Sequence, residues 1–311
     1  MCAINIKELT KKPSPLTQGH RMCPGCGAPT AIRQSLMAVD YPVVVVAATG
    51  CMEVSTTVYP YSAWRMPFMH IAFENAGAGI SGIEAAYKVL RRKGKVDKDI
   101  KFVAFGGDGG TYDIGLQSLS GALERGHDFT YICYNNQGYM NTGAQRSSAT
   151  PQSANATTSP AGKVMPGKLQ RAKDLTEIVA AHEIPYVAQT TLHNPLDLIT
   201  KVKRAVETPG PAFVNVLVPC PLFWKIDPSR QTEICQMAAD SKFWPVYEVV
   251  NGEYSLSYEP KKNVTIEDFL RAQGRYAHLF KKGAERPDLV EEAQRDADAS
   301  WAKLLKKCGR A

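Results

Sequence analysis

A carboxylate set among glycines and a pair of adjacent amides follow two successive apolar segments of the chain. Asp108 lies at the centre of residues 106–110 (Gly-Gly-Asp-Gly-Gly), and Asn136 lies in residues 135–138 (Asn-Asn-Gln-Gly). Glycines let backbone N–H groups approach phosphate oxygens, and Mg²⁺ prefers carboxylate, amide and carbonyl oxygens. We therefore predict that Asp108, Asn136 and the carbonyl of Gly138 bind a divalent metal that holds a diphosphate.

Taken alone, each of these two motifs is typical of a turn. Both, however, come directly after predicted strands, and ligands of open α/β sheets bind beyond the carboxyl ends of the strands. The helix that follows the first motif would also point its positive end toward a phosphate. The pairing of Gly-Asp-Gly with an asparagine one helix and one strand later resembles the thiamine diphosphate signature.

The elements that must position these residues alternate between strands and helices. Short apolar runs predict strands at residues 43–48, 101–105, 129–134 and 212–218. Helical periodicity predicts helices at residues 79–92, 113–125, 174–181 and 195–206, with Asn194 as the cap of the last. This alternation predicts an α/β fold, with a mostly parallel sheet and helices on both faces.

The α/β rhythm stops soon after the last predicted strand. We therefore predict a domain over residues 1–225 and a C-terminal extension over residues 226–311 that packs on the domain or on a partner subunit. Helical stretches are expected in the extension at residues 266–273 and 289–305. The segment 139–167 lacks periodicity, and a loop of this length in a compact domain is usually functional.

Composition restricts the class of protein. The 311 residues are 44% hydrophobic, but no apolar run reaches the roughly 20 residues that a membrane span needs. The net charge of +7 is scattered without a basic run carrying aromatics, so we expect no nucleic-acid partner. The start of the chain has no apolar stretch of the secretory type, and we expect a cytoplasmic protein.

Four of the eight cysteines have positions that suit metal binding. Cys23 and Cys26 have the spacing of ligands, while Cys51 and Cys220 each follow a predicted strand. Disulfides are a poor expectation for an intracellular chain. Four thiolates suit either a structural zinc or an iron–sulfur cluster, and spacing alone does not separate the two.

The diphosphate motif favours the cluster. Thiamine diphosphate leaves an electron-rich intermediate after decarboxylating a 2-oxo acid. An enzyme that oxidises this intermediate without lipoamide needs an electron acceptor close by. A 4Fe–4S cluster can accept electrons, whereas zinc is redox-inert.

Together these motifs resemble the β subunit of the 2-oxoacid:ferredoxin oxidoreductases, the family of pyruvate:ferredoxin oxidoreductase. The resemblance covers roughly residues 16–224 and rests on several separate segments. They are residues 19–20, 23–27, 49–51, 107–109, 112–115, 136, 139–143 and 220.

The resemblance implies three cofactors: thiamine diphosphate, Mg²⁺ and one 4Fe–4S cluster. Cys23, Cys26, Cys51 and Cys220 would hold the cluster, and Asn141 would be a polar catalytic contact to the substrate and the thiazolium ring. Further residues would line the cofactor site. They are Gly50, Gly107, Asp108, Gly109, Gly110, Asn136, Gly138, Tyr139, Met140, Asn141 and Thr142.

The resemblance also implies partners. Another subunit or domain would supply the glutamate that activates the aminopyrimidine, most of the substrate pocket and further iron–sulfur clusters. We assign that role to none of Glu53, Glu74 and Glu84. Ferredoxin would take the electrons, and coenzyme A would accept the acyl group in most family members. The sequence leaves open which 2-oxo acid is used, and a substrate such as oxalate would need no coenzyme A.

Two other functions fit the same motifs less well. One is a non-redox thiamine diphosphate decarboxylase or synthase with a structural zinc, although such enzymes usually carry both thiamine-binding domains in one longer chain. The other is a non-catalytic binding subunit whose cysteines stabilise a scaffold.

Overall fold

Eight strands form one sheet in the computed structural model, which describes residues 4–37, 39–261 and 263–310. The strands are β1 (Val43–Ala48), β2 (Phe68–Ile71), β3 (Lys101–Gly107), β4 (Thr130–Asn135), β5 (Tyr186–Thr191), β6 (Ala212–Leu217), β7 (Tyr247–Val250) and β8 (Glu253–Leu256). Their spatial order is β2-β1-β3-β4-β6-β5-β7-β8. The first six strands are parallel, and β7 and β8 add an antiparallel edge.

The four predicted strands are confirmed as β1, β3, β4 and β6, and β1 has the predicted bounds. The other four strands were not predicted. β5 is fully buried but contains Gln189, Thr190 and Thr191. Their side chains hydrogen-bond to Thr176, Asp197 and His193 respectively, which allows these polar residues to be buried. Because of them, β5 lacks the kind of apolar run from which β1, β3, β4 and β6 were predicted.

Eleven α-helices occur among the described residues. They are α1 (Ile6–Leu9), α2 (Ala28–Met37), α3 (Cys51–Thr56), α4 (Ala76–Arg92), α5 (Leu116–Glu124), α6 (Leu175–Ala180), α7 (Pro195–Glu207), α8 (Pro221–Trp224), α9 (Gln231–Asp240), α10 (Ile266–Arg271) and α11 (Pro287–Lys307). A π-helical turn lies at Gly109–Asp113, and 3₁₀-helices lie at Pro228–Arg230 and Gly274–Phe280.

The predicted helices are confirmed as α4 to α7, α10 and α11. Asn194 caps α7 as predicted, because its side-chain oxygen accepts the N–H of Asp197 at 3.2 Å. The helix predicted from residue 113 starts at Leu116, and residues Gly109–Asp113 before it form a π-helical turn. This turn follows directly on Asp108, so the irregularity lies at the predicted metal site.

Helices cover both faces of the sheet, which confirms the predicted fold class. On one face the apolar sides of α2 and α7 pack on β1, β3 and β6. On the other face α4, α5 and α6 pack on β3 and β4, joined by the end of α11. The carboxyl ends of the parallel strands therefore meet along one edge of the sheet between two helical layers.

The C-terminal part of the chain continues this sheet and adds a third apolar cluster. β7 pairs with β5, and Trp224, Phe269 and Tyr276 are fully buried beside α8, α9 and α10. A division of the chain at residues 225/226 stays a prediction. No helix of the described residues is long and apolar enough to cross a membrane. Cys2, to which we assign no role, lies outside the described residues.

Candidate functional site

Asp108 is a buried carboxylate at the end of β3. Its residue is 1% exposed, and its two oxygens accept the N–H of Asn136 at 3.1 Å and the hydroxyl of Ser147 at 2.5 Å. Burial raises the pKa of Asp108 to about 7, although both hydrogen bonds act against that rise. A divalent cation beside the carboxylate would offset the cost of burying its charge. The residue therefore has the environment of a metal ligand.

Asn136 lies next to Asp108 because β3 and β4 are neighbours, with Gly107 paired to Tyr134. Its carbonyl accepts the indole N–H of Trp224 at 2.9 Å, and its side-chain oxygen accepts the N–H of Gly138 at 3.3 Å. The structure thus brings together the three residues that the sequence suggested as metal ligands.

Gln137, which sequence reasoning missed, holds the backbone of this loop in an unusual conformation. Its φ is 66°, a region that residues other than glycine rarely occupy, and its side chain is buried. Gln137 donates its backbone N–H to the side chain of Asn135, and its backbone carbonyl accepts the hydroxyl of Thr150. The side-chain oxygen of Gln137 accepts an N–H of the Arg275 guanidinium at 2.7 Å. These bonds hold residues 136–138 in place.

Tyr139 ties the second loop back to the first. Its hydroxyl donates to Asp113 at 2.9 Å and lies 3.2 Å from the carbonyl oxygen of Gly109, and Asp113 also accepts the N–H of Ser148 at 3.0 Å. A Cβ at Gly109 would lie 2.5 Å from the ring of Tyr139. At Gly110 a Cβ would lie 3.0 Å from Phe73. These glycines are required by the packing of the protein itself, and their approach to a diphosphate stays a prediction.

Residues 140–142 form an exposed turn beyond Tyr139. The N–H of Gly143 donates to the carbonyl of Met140 at 3.2 Å, and the hydroxyl of Thr142 donates to Gln145 at 2.7 Å. Met140 is half-buried, whereas Asn141 and Thr142 are exposed. Asn141 is therefore accessible to a ligand or a partner subunit, and its catalytic role stays a prediction.

The four predicted cluster cysteines come together at the same edge of the sheet. Cys26 donates its N–H to the carbonyl of Cys23 at 3.0 Å, Cys51 begins α3 and Cys220 directly precedes α8. Burial and, to a smaller extent, the other three thiols raise the pKa of Cys51 to about 12. Burial likewise raises the pKa of Cys26 to about 11, with additional contributions from Cys220 and Cys23.

Backbone N–H groups point at two of these sulfurs. The N–H of Ala28 donates to Cys26, and those of Leu222 and Phe223 donate to Cys220; each bond opposes the rise in the pKa of the thiol that burial causes. Hydrogen bonds of this kind stabilise metal-bound thiolates. Among the described residues, no three His, Cys, Asp or Glu side chains are arranged to hold a single metal ion as they stand.

Tyr134 separates the cysteine group from the carboxylate. A Cβ at Gly50 would lie 2.6 Å from its hydroxyl, and one at Gly107 would lie 3.1 Å from it. Asp108 contributes to the raised pKa of Cys51, after burial and the other thiols. The carboxylate and the thiols are therefore electrostatic neighbours across one tyrosine.

Glu84 lies away from this site on α4. It is buried, forms an ion pair with Lys88, and hydrogen-bonds to the imidazole of His127 at 2.8 Å. Glu53 is also buried and accepts the hydroxyl of Thr57 at 2.7 Å. Both carboxylates have partners of their own.

Known proteins are similar to this chain over most of its length. The family described as "Thiamine pyrophosphate enzyme, C-terminal TPP binding domain" matches residues 48–216. A pyruvate synthase subunit PorB from Thermotoga maritima is 50% identical over 97% of this chain and 96% of its own length. The chain belongs to the β subunits of the 2-oxoacid:ferredoxin oxidoreductases. It is an oxidoreductase subunit with a thiamine diphosphate-binding domain, as the sequence motifs predict.

Two further relatives show the range of this β-subunit family. A PorB from Methanocaldococcus jannaschii is 50% identical over 86% of this chain and 91% of its own length. A ketoisovalerate oxidoreductase subunit VorB from Pyrococcus abyssi is 41% identical over 93% of this chain and 91% of its own length. A solved 2-oxoglutarate:ferredoxin oxidoreductase from Magnetococcus marinus has a TM-score of 0.56 and 22% identity, covering 72% of this chain and 70% of that one. This last likeness concerns the fold alone.

Proposed function

We propose that this β subunit binds thiamine diphosphate through Mg²⁺ and holds one 4Fe–4S cluster beside it, so that a 2-oxo acid is decarboxylated oxidatively. The electrostatic proximity of Asp108 and Cys51 carries the proposal. A redox centre that lies next to the cofactor can take its electrons directly. A structural zinc would need no such proximity.

Different residues of the chain would bind the metal, the cluster and the substrate. Asp108, Asn136 and the Gly138 carbonyl would hold the metal, and Cys23, Cys26, Cys51 and Cys220 would hold the cluster. Thiamine diphosphate would supply the carbon nucleophile that cleaves the 2-oxo acid, and the cluster would accept single electrons. Gln137 and Tyr139 keep the metal-binding loops closed, while exposed Asn141 would meet the substrate at the interface with another subunit.

Pyruvate is the substrate that we propose. Its support is that subunits named pyruvate synthase are 42–50% identical to this chain, against 41% for a subunit named for ketoisovalerate. Other subunits would complete the pocket and supply the activating glutamate, coenzyme A would take the acetyl group, and ferredoxin would take the electrons. The proposed location is the cytoplasm, in agreement with the seven described cysteines, none of which forms a disulfide.

The cluster is tested by anaerobic purification with the partner subunits. In variants of the four cysteines, we expect loss of about four irons per β subunit and of one low-potential EPR signal. Cys308→Ala, which changes a half-buried cysteine in the last turn of the chain, is the matched control and should keep both. Zinc in place of iron at these cysteines would support the non-redox alternative.

The metal site is tested by Asp108→Asn. This variant should lose bound thiamine diphosphate on desalting, because the amide cannot offset the charge of Mg²⁺. Asp128→Asn changes a half-buried carboxylate that precedes β4 at the opposite edge of the sheet and accepts the N–H of Gly210 at 3.1 Å. It should retain the cofactor. Equal retention in both variants would reject the proposed site.

A further inference from the structure

Arg275 is a fully buried cation without a carboxylate partner. It lies in the 3₁₀-helix Gly274–Phe280, has 0% exposure, and forms no ion pair within residues 4–37, 39–261 and 263–310. Its Nε donates to Gln273 at 2.9 Å and its Nη2 to Gln137 at 2.7 Å, but its Nη1 has no hydrogen-bond partner among these residues. Buried charges are normally paired, since removing an ion from water costs several kcal/mol.

Aromatic rings hold the guanidinium in position. Its central carbon lies 3.7 Å from the ring centroid of Trp224 and 5.4 Å from that of Phe223. Trp224 and Phe223 belong to α8, the helix that begins directly after Cys220. Such cation–π contacts orient the cation and stabilise it by on the order of 2 kcal/mol when the pair is desolvated. This is less than the cost of burying the charge, so the rings do not replace a counter-ion.

Two of the three groups whose negative charge would act on Arg275, Cys220 and Asp108, belong to the functional site, and the third is the neighbouring Tyr276. Burial lowers the pKa of Arg275 to about 10, while Tyr276, Cys220 and Asp108 act in the opposite direction. Conversely, Arg275 opposes the rise in the pKa of Cys220 that burial causes. The guanidinium therefore stays charged near neutral pH. It interacts electrostatically with Cys220, one of the four clustered cysteines, and with Asp108, the predicted metal ligand.

We propose that Arg275 is the buried counter-cation of the cluster and raises the reduction potential of that cluster. This inference rests on the proposed function. Reduction adds one negative charge to the four-thiolate cluster, and a nearby cation without a competing carboxylate stabilises the reduced form more than the oxidised form. Arg275 would act on the cluster through its charge, from the 3₁₀-helix Gly274–Phe280. It lets the cluster accept an electron from the 2-oxo acid reaction more readily.

The test is an EPR-monitored redox titration of the assembled anaerobic enzyme. At the midpoint potential of the wild-type cluster, Arg275→Met should lower the ratio of reduced to oxidised cluster roughly tenfold. A tenfold change corresponds to about 59 mV for a one-electron couple. Arg275→Lys keeps the charge and should restore most of the ratio. Arg204→Met removes a cation that pairs with Glu248 near β7, and should leave the ratio unchanged.

Gln273→Glu gives a second, independent measurement. It places a carboxylate on the Nε of Arg275 and neutralises the cation without emptying its site, so it should also lower the ratio. If Arg275→Met does not assemble, this variant decides the question. Variants that carry a full cluster and keep the wild-type ratio within twofold would overturn the inference. Wild-type enzyme without iron at these cysteines would instead overturn the proposed function, and iron content is measured separately.

Discussion

The hydroxyl of Ser147 donates a 2.5 Å hydrogen bond to the carboxylate of Asp108, across 39 residues of sequence. Ser147 is 1% exposed and lies in the loop between β4 and α6. The bond lowers the pKa of Asp108 against the larger effect of burial. The long loop therefore contributes directly to keeping the predicted metal ligand ionised.

We expect Ser147→Ala to weaken binding of Mg²⁺ and thiamine diphosphate by roughly 10- to 150-fold, because a hydrogen bond to a charged group contributes about 1.5–3 kcal/mol. Isothermal titration of the cofactor-depleted enzyme measures this loss. Ser148→Ala is the matched control, since Ser148 donates its backbone N–H, and not its hydroxyl, to Asp113. Unchanged affinity in Ser147→Ala would mean that the bond has no part in cofactor binding.

The pairing of Asp108 with Asn136 could be predicted from the sequence, whereas the contribution of Ser147 could not. Parallel strands that are neighbours end at the same edge, so two motifs at strand ends must meet. Ser147 lies in a segment without periodicity, and its position depends on the folding of the whole loop. The same holds for Arg275, because an arginine after Gln273 and Gly274 is typical of a surface turn. Its burial is determined by the rings of α8, which are about 50 residues away in sequence.

Gly109→Ala should displace the ring of Tyr139, because the added Cβ would lie 2.5 Å from it. We expect a loss of about 1–3 kcal/mol in stability and loss of the hydrogen bond from Tyr139 to Asp113. Gly82→Ala is the control, since nothing lies within 4 Å of its Cβ on the exposed side of α4. It should be neutral or stabilising by up to about 1 kcal/mol. Thermal unfolding and cofactor retention separate the two variants.

Lys168 makes the stability of the protein depend on pH in the alkaline range. Its ammonium group is buried and donates to the carbonyls of Thr150 at 2.5 Å and Arg171 at 3.3 Å. Burial lowers the pKa of Lys168 from 10.5 to about 8. Between these values the unfolded chain binds more protons than the folded chain, so stability rises with pH.

Relative to Lys168→Met, we therefore expect the wild-type enzyme to gain on the order of 1 kcal/mol of stability between pH 7.5 and pH 9.5. Calorimetric unfolding of the assembled enzyme at both pH values gives this difference. Lys281→Met, at an exposed lysine, should follow the wild-type dependence. A wild-type advantage that falls with pH would contradict the assignment to Lys168.

Trp224 contacts both the loop of residues 136–138 and the buried Arg275, and Trp224→Phe removes only the first of these contacts. Phenylalanine keeps an aromatic ring beside Arg275 but loses the N–H that donates to the carbonyl of Asn136 at 2.9 Å. We expect about 1 kcal/mol of lost stability and weaker retention of thiamine diphosphate. The charge of Arg275 remains, so the reduction potential of the cluster should change little.

Trp244→Phe is matched to this change, because the indole of Trp244 also donates to a carbonyl at 2.9 Å, that of Thr190 in β5. It should cost similar stability and leave cofactor retention intact. Unfolding midpoints and thiamine diphosphate content after desalting are measured for both variants. Equal cofactor loss would show that any weakening of the fold releases the cofactor, and that the Asn136 carbonyl needs no support from α8.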